Sequence, residues 1–251
     1  MAGHSKWANI KHKKAAADAK RGKIFSKISK ELMIVAKQGG GDPTMNPTLR
    51  TLIQKAKSVN MPADNVERAI KKGTGEIQAA ALEEVGYEGF AGGGVALIVK
   101  ALTDNKNRAS AEIRHIFTRH NSSFAAQGAV SRGFQRKGQI FVDAKAVAED
   151  KLMDIVLGAG AEDMTQDGDQ FEILTEPTAF EAVLAALEKA GIKPISSELG
   201  LVPSAYVTVN DKAVAGAVFR FVEDLEDNED VQNVYTNMDV PDEVLKQLEE
   251  K

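Results

Sequence analysis

Near residue 80 the spacing of apolar residues changes, and this change rules out a fold of one repeating layer. Upstream, Ile24, Ile28, Leu32 and Val35 recur at helical intervals, as do Leu49, Leu52, Ile53 and Ala56, and then Val66, Ala69 and Ile70. Glycines 39–41 stop the first helix. Asn46 as N-cap, with Pro47 at the first helical position, starts the second, which ends near Asn60. The third opens at Pro62 and closes on Gly73. Three short helices with short connections predict a small helical domain. The first 23 residues offer Trp7, Ile10 and alanines as apolar groups, too few for a core, and read as a mobile or transiently helical arm.

Downstream the period falls to two. Val85, Tyr87 and Phe90, then Val95 to Leu102, predict two strands joined through glycines 92–94. Asn105 to His120 reads as an amphipathic helix with Ala109, Ile113, Ile116 and Phe117 inward. Residues 139–200 then spell β-α-β-β-α-β. The strands are Gln139–Val142, Asp163–Gln166, Gln170–Leu174 and Pro194–Leu199, and the helices Ala146–Leu157 and Pro177–Ala190. That order is the ferredoxin-like split βαβ pattern. A helix from Asp211 to Leu225, a strand from Val231 to Tyr235 and a short helix after Pro241 complete the chain.

The segment 82–134 supplies strands with one helix, and the segment 205–240 one helix with one strand, so each leaves a layer uncovered. The expected architecture is therefore α+β. A basic arm and helical domain occupy 1–79, a discontinuous α+β domain 80–135 plus 204–251, and a ferredoxin-like domain, 136–203, is inserted within it.

Charge is divided along the same lines. The net charge of −4 conceals +11 over residues 1–72, +2 over 73–138 and −17 over 139–251. Fields from charges farther apart than a Debye length, about 8–10 Å, are screened, so a distant acidic lobe does not cancel a basic one. The absence of cysteine excludes disulfides, thiolate metal sites and a Cys nucleophile, and makes a reducing compartment the default. No apolar run approaches the roughly 18 residues of a membrane helix. A soluble cytoplasmic protein is expected.

Motifs for nucleotide binding, metalloprotease, hydrolase or calcium chemistry are missing, so no catalytic residue, metal site or cofactor is expected. The glycine-rich stretch 86–94 lacks the Lys and helix start that phosphate cradling needs, and reads as a hairpin turn. Six carboxylates crowd residues 223–230, without the turn glycine or alternating spacing of a cation loop. They read as a solubilising patch or a shield against non-specific polyanion binding.

The arm is the stronger signal. Lys6, Lys11, Lys13, Lys14, Lys20, Arg21 and Lys23 are each able to neutralise a phosphate, His12 lies among them, and Trp7 is an aromatic available to stack on a base. The alternative is that Trp7 and Ile10 pack on the helical domain and leave the lysines in water. A second basic element lies on the helix from residue 105. Arg108, His115 and Arg119 share a stripe opposite the apolar face with Arg114 beside it, and Glu112 is the only acid between residues 106 and 137. These side chains are candidate nucleic-acid contacts.

The segments MAGHSKWANIKHKKAAADAKRGKIFSKISKEL, GGGDP, NPTLR, NMPADNVERAIKKGTGE, YEG, LTDNKNRASAEIRHIF and LEDNEDVQNVYTN together resemble the YebC family of bacterial proteins, whose eukaryotic relatives include a mitochondrial translational activator. The resemblance spans essentially the whole chain. It implies a helical N-terminal domain followed by two α/β domains and a non-enzymatic role. Family members are described as DNA-binding transcriptional regulators, and others as associated with ribosomes and with translation of difficult sequences such as proline runs; on that alternative the same lysines of this chain contact rRNA or tRNA. The chain departs from the family pattern at 121–134, where NSSFAAQGAVSRGF replaces a glycine-rich GGxLGxxGSVxxxF. A bulkier loop beside the basic helix alters which nucleic acid or partner fits there.

Overall fold

The computed structural model describes residues 18–249. Helix α1 (Asp18–Gly39) begins six residues before Ile24, so Lys20, Arg21 and Lys23 belong to its opening turns rather than to the arm. Alanine and lysine are strong helix formers, and the stretch needs no core of its own once it extends a longer helix. Ile28, Leu32 and Ala36 face inward, whereas Ile24 is exposed. Gly40, at φ 85°, turns the chain into α2 (Pro47–Ser58).

The buried Asn46 side chain caps α2 by accepting the Leu49 N–H, and its amide donates to the carbonyls of Val35 and Gly40. One residue thus fixes the angle between two helices. Helix α3 (Ala63–Thr74) runs past Gly73 and ends on Gly75, which takes the left-handed conformation at φ 85°. Gly73 serves close approach instead. A Cβ there would strike the Met33 carbonyl oxygen and lie 2.8 Å from Ala36 Cβ. Gly73→Ala should therefore lower stability by about 1–2 kcal/mol, because the overpacking exceeds the gain in helix propensity. A shift of the helical circular-dichroism denaturation midpoint to lower denaturant would show it.

Strands β1 (Glu83–Phe90) and β2 (Ala96–Thr103) pair antiparallel from Glu83↔Thr103 to Phe90↔Ala96, around a turn at Gly92–Gly94. Helix α4 (Lys106–Arg119) follows, capped by Asn105, and β3 (Ser123–Ala125) returns to pair with β1. The next six elements form a second sheet with its helices: β4 (Phe134–Asp143), α5 (Glu149–Gly158), β5 (Ala161–Asp167), β6 (Gln170–Thr175), α6 (Phe180–Lys189) and β7 (Ser196–Pro203). Its order is β5-β6-β4-β7 with every pair antiparallel, the ferredoxin-like arrangement. Strand β4 is longer than the Gln139–Val142 expected, because its first half pairs with β7 and carries Arg136 and Lys137 into the sheet.

The chain then re-enters the first sheet. After β8 (Val207–Thr208) and helix α7 (Lys212–Asp227), strand β9 (Val231–Thr236) pairs with β2 and gives the order β3-β1-β2-β9. Strand β10 (Met238–Asp239) runs parallel to β8, and α8 (Asp242–Glu249) closes the described chain. Helices α4 and α7 cover one face of the first sheet, packing Ile113, Phe117, Phe221 and Leu225 on Leu97 and Val99. Its other face holds Ala96, Ile98 and Tyr235 against Val130, Phe134 and Leu201. The protein is an α+β chain with a helical N-terminal region followed by two sheet-containing units. Among the described residues no helix is long and apolar enough to cross a membrane.

Candidate nucleic-acid interface

Lys6, Trp7, Lys11, His12, Lys13 and Lys14 lie outside the described residues. Lys20 and Arg21 are on the first turns of α1. Lys23 is described in full, and two lysines that the sequence reading passed over lie on its stripe, Lys27 and Lys30. All three meet the end of α7. Lys23 donates to the Asp227 carbonyl at 3.1 Å, Lys27 to the Glu226 carbonyl at 2.6 Å and Lys30 to the Glu229 carbonyl at 2.9 Å. A helix C-terminus presents unpaired carbonyls and a partial negative charge, so ammonium groups are favourable there. Carboxylates add to it: Lys23 Nζ lies 3.6 Å from Asp227 Oδ2 and Lys30 Nζ 2.7 Å from Asp230 Oδ1.

The α4 stripe reaches the same acidic segment from the other side. Arg108 donates to Asp230 at 2.9 Å and to Asp104 at 3.0 Å. Arg119 donates to Asp224 at 2.5 Å, and His120 Nε2 lies 2.6 Å from the same oxygen. The structure thus brings Lys23, Arg108 and Arg119 around the run 223–230. Arg114 instead stacks its guanidinium 4.3 Å above the centre of the Phe124 ring, a cation–π contact that also covers the Phe117–Phe124 pair. His115 is exposed and has no hydrogen-bond partner among the described residues; it borders a shallow recess with Glu112, Arg119 and Asp224.

Asp230 organises this junction. Only 4 % exposed, it accepts from Lys30, Arg108 and the Thr103 hydroxyl. Burial pushes its carboxyl pKa up, but the two cations and the hydroxyl outweigh this and hold it below the ordinary aspartate value. The hydrogen bond with His120 is the main reason that Asp224 also lies below its ordinary value, with Arg119 assisting. The acidic run is therefore an internal counterpart for the chain's own cations, where the sequence suggested a solvated patch. The signal was present in the complementary signs of 23–30 and 223–230, but nothing in either segment alone identifies the other.

Other cations remain uncommitted. Lys37, Arg50, Lys57 and Arg68 are exposed on α1–α3, and Arg132 on the loop before β4, with no ion pair among the described residues. Lys137, by contrast, is held by Glu162 and Glu176. A cleft of about 2480 Å³ is lined by residues of α1, α2, α6, β7 and α7, and its lining mixes both signs, with Lys27, Arg50, Lys55 and Arg220 alongside Glu31, Glu181, Glu188 and Glu198. Such a mixed lining does not offer a polyphosphate a field of one sign. Among the described residues no group of three or more His, Asp or Glu is arranged to hold a metal ion.

One carboxylate ties down the second half of the stretch 121–134. Glu88 on β1, 6 % exposed, accepts from the backbone N–H groups of Gly128, Val130 and Ser131 at 2.9, 2.6 and 3.1 Å. It was not among the residues expected from sequence. One of three glutamates in a strand carries no signal of a loop forty residues away.

Comparison with known proteins agrees with this architecture. A family model described as the TACO1/YebC protein N-terminal domain matches residues 5–76, and one described as the TACO1/YebC second and third domain matches 82–238. A probable transcriptional regulatory protein of Desulfotalea psychrophila is 50% identical over 250 residues, covering 100% of both chains. One from Dictyoglomus thermophilum is 51% identical over 249 residues, covering 99% of this chain and 100% of the other. The crystal structure of a conserved hypothetical protein from Aquifex aeolicus superposes with a TM-score of 0.86 at 45% identity, covering 96% of this chain and 99% of that one. Matched over both its helical and its sheet-containing parts, the chain belongs to the TACO1/YebC family.

Proposed function

We propose that this protein is a non-enzymatic regulator of gene expression that binds nucleic acid through its basic arm and helical domain, as a DNA-binding transcriptional regulator. The observation that carries the reading is the concentration of positive charge, +11 within residues 1–72. The exposed Arg50, Lys57 and Arg68 extend this field over the helical domain. The names of the relatives, probable transcriptional regulatory proteins, support the class. Lys6, Lys11, Lys13, Lys14, Lys20 and Arg21 contact phosphates, and Trp7 stacks on a base. His12 lies within the same contact. Arg114 and His115, exposed on α4, form a second contact. On the same reading the chain divides into 1–79, 80–135 with 204–251, and 136–203, so that the basic unit is a domain of its own.

Phosphate contacts position a protein without reading sequence. The reading therefore assigns affinity to the arm and no base code. The same cations suit the shaped phosphate surfaces of folded RNA, which is the alternative of a ribosome-bound translation factor on rRNA or tRNA. Sucrose-gradient sedimentation of cell extracts in moderate salt, after DNase treatment, separates the two. Absence from ribosomal fractions, together with promoter-specific footprints, is expected for the transcriptional regulator. Co-migration with ribosomal particles would transfer the function to translation.

A further inference from the structure

The positions 23, 27 and 30 form one stripe of α1, spanning about 10 Å along the helix. All three lysines on it end on residues 226–230. Arg108 and Arg119 end on Asp230 and Asp224. Five cations from two separate helices thus converge on seven residues of one segment. Moreover, the junction that the three lysines of α1 make is polar, whereas Arg108 and Arg119 reach the segment from α4, beside α7 on the same sheet. The hydrophobic cluster of α1–α3, built on Ile28, Leu32, Leu49 and Ala69, contains no residue of the sheets, and the cluster of the first sheet contains none of α1–α3. Polar junctions between domains are the ones that open.

We infer that Lys23, Lys27, Lys30, Arg108 and Arg119 form a polyanion-binding face whose resident anions are the carboxylates and carbonyls of the chain's own segment Asp224–Asp230, and that a nucleic acid takes over these cations by displacing those groups while buried Leu225 keeps the segment in the core. The inference rests on the nucleic-acid reading above and adds a second surface and its control. The segment offers what a phosphate chain offers: closely spaced anionic oxygens, reinforced here by the carbonyls at the end of α7. A phosphodiester strand bound at the arm next to Lys23 is positioned to compete for the same ammonium groups at high local concentration. Exchange keeps the cations satisfied in both states. The acidic segment then lowers affinity for any polyanion too short or too weakly bound to complete the exchange.

The test compares the full-length protein with Asp224→Asn/Asp227→Asn, whose two side chains are partly exposed, so that the fold is kept while the grip on Arg119 and Lys23 is weakened. Binding of a labelled 30-nucleotide single-stranded RNA and of a duplex DNA of the same length, at about 50 mM salt, is expected to tighten about tenfold in the variant. Glu149→Gln/Asp150→Asn, the same charge change at the exposed start of α5, should alter affinity less than about twofold if the effect is local. In the wild-type protein, zero-length carbodiimide crosslinking of Lys23 to Asp227 should fall as nucleic acid is added. If the wild-type protein binds, but the variant binds no more tightly than the control, or the crosslink persists at saturation, the displacement is wrong while the nucleic-acid reading stands. If the wild-type protein binds neither probe, both fall together.

Discussion

Reversing Lys11, Lys13, Lys14 and Arg21 to Glu is expected to weaken nucleic-acid binding about a hundredfold or more in 50 mM salt. Each phosphate contact releases counterions and contributes about 0.7–0.9 to the slope of log K against log salt, so removing four should flatten the slope by about 3. The new carboxylates add repulsion. Stability should not change much, because among the described residues the helical core rests on the apolar side chains of Ile28, Leu32, Leu49, Ala56, Met61 and Ala69, and Lys and Arg are almost never fully buried unless paired. Filter-binding titrations at several salt concentrations, with circular dichroism as the check on folding, read both effects. An unchanged affinity in a folded variant would remove the arm from the account.

The largest effect on stability is expected at Glu88. Replacing it by Ala leaves the N–H groups of Gly128, Val130 and Ser131 without their acceptor. An unsatisfied buried donor costs about 1–3 kcal/mol; two of these donors lie at the edge of solvent, so a total of about 3 kcal/mol is expected. The loop they hold also carries Val130, 5 % exposed and packed between the sheets with Phe134 and Ile98, so its release loosens that contact. Denaturant unfolding at neutral pH measures the loss.

Glu88 also makes a pH prediction. Burial raises its pKa, but the three backbone donors together with the Ser131 side chain outweigh burial and hold the folded value below the ordinary 4.5. A carboxyl with a depressed folded pKa contributes stability that is fully present above its unfolded value and lost as pH falls through the folded one. The wild-type protein should therefore lose stability below about pH 4.5 more steeply than Glu88→Gln. Part of the slope will remain in the variant, since Asp224 and Asp230 are depressed in the same direction. Equal acid slopes in the two proteins would show that the loop does not depend on the ionised carboxylate.

Local rules made much of this fold legible. Asn46 and Pro47 mark the start of α2 because capping is a property of adjacent residues, and Asn105 does the same for α4. The β-α-β-β-α-β order was readable because alternation and helical period succeed each other without overlap. What escaped depends on contacts between distant segments. Gly73 resembles a helix stop until Met33 is seen lying against it. Ile24 fits the apolar stripe of α1 yet lies on a cleft wall. The first half of β4 carries charge on a strand, and only its pairing with β7 makes it one.

At the candidate site the basic stripe of α4 was visible from spacing, but its occupant was not. Arg108 and Asp230 are 122 residues apart, and helical periodicity describes one element at a time. Lys27 and Lys30 were overlooked for a related reason: on a helix rich in lysine, only the partner distinguishes a junction residue from a solvated one.

A cationic front end that grips a polyphosphate chain releases counterions as it binds. Equilibrium binding of the full-length protein to single-stranded RNA and duplex DNA across a series of salt concentrations reads that release. If Lys6, Lys11, Lys13, Lys14, Lys20 and Arg21 each meet a phosphate, log K should fall linearly with log salt with a slope of about −4 on single strands. No measurable binding in the most dilute buffer, or an affinity indifferent to salt, would contradict it.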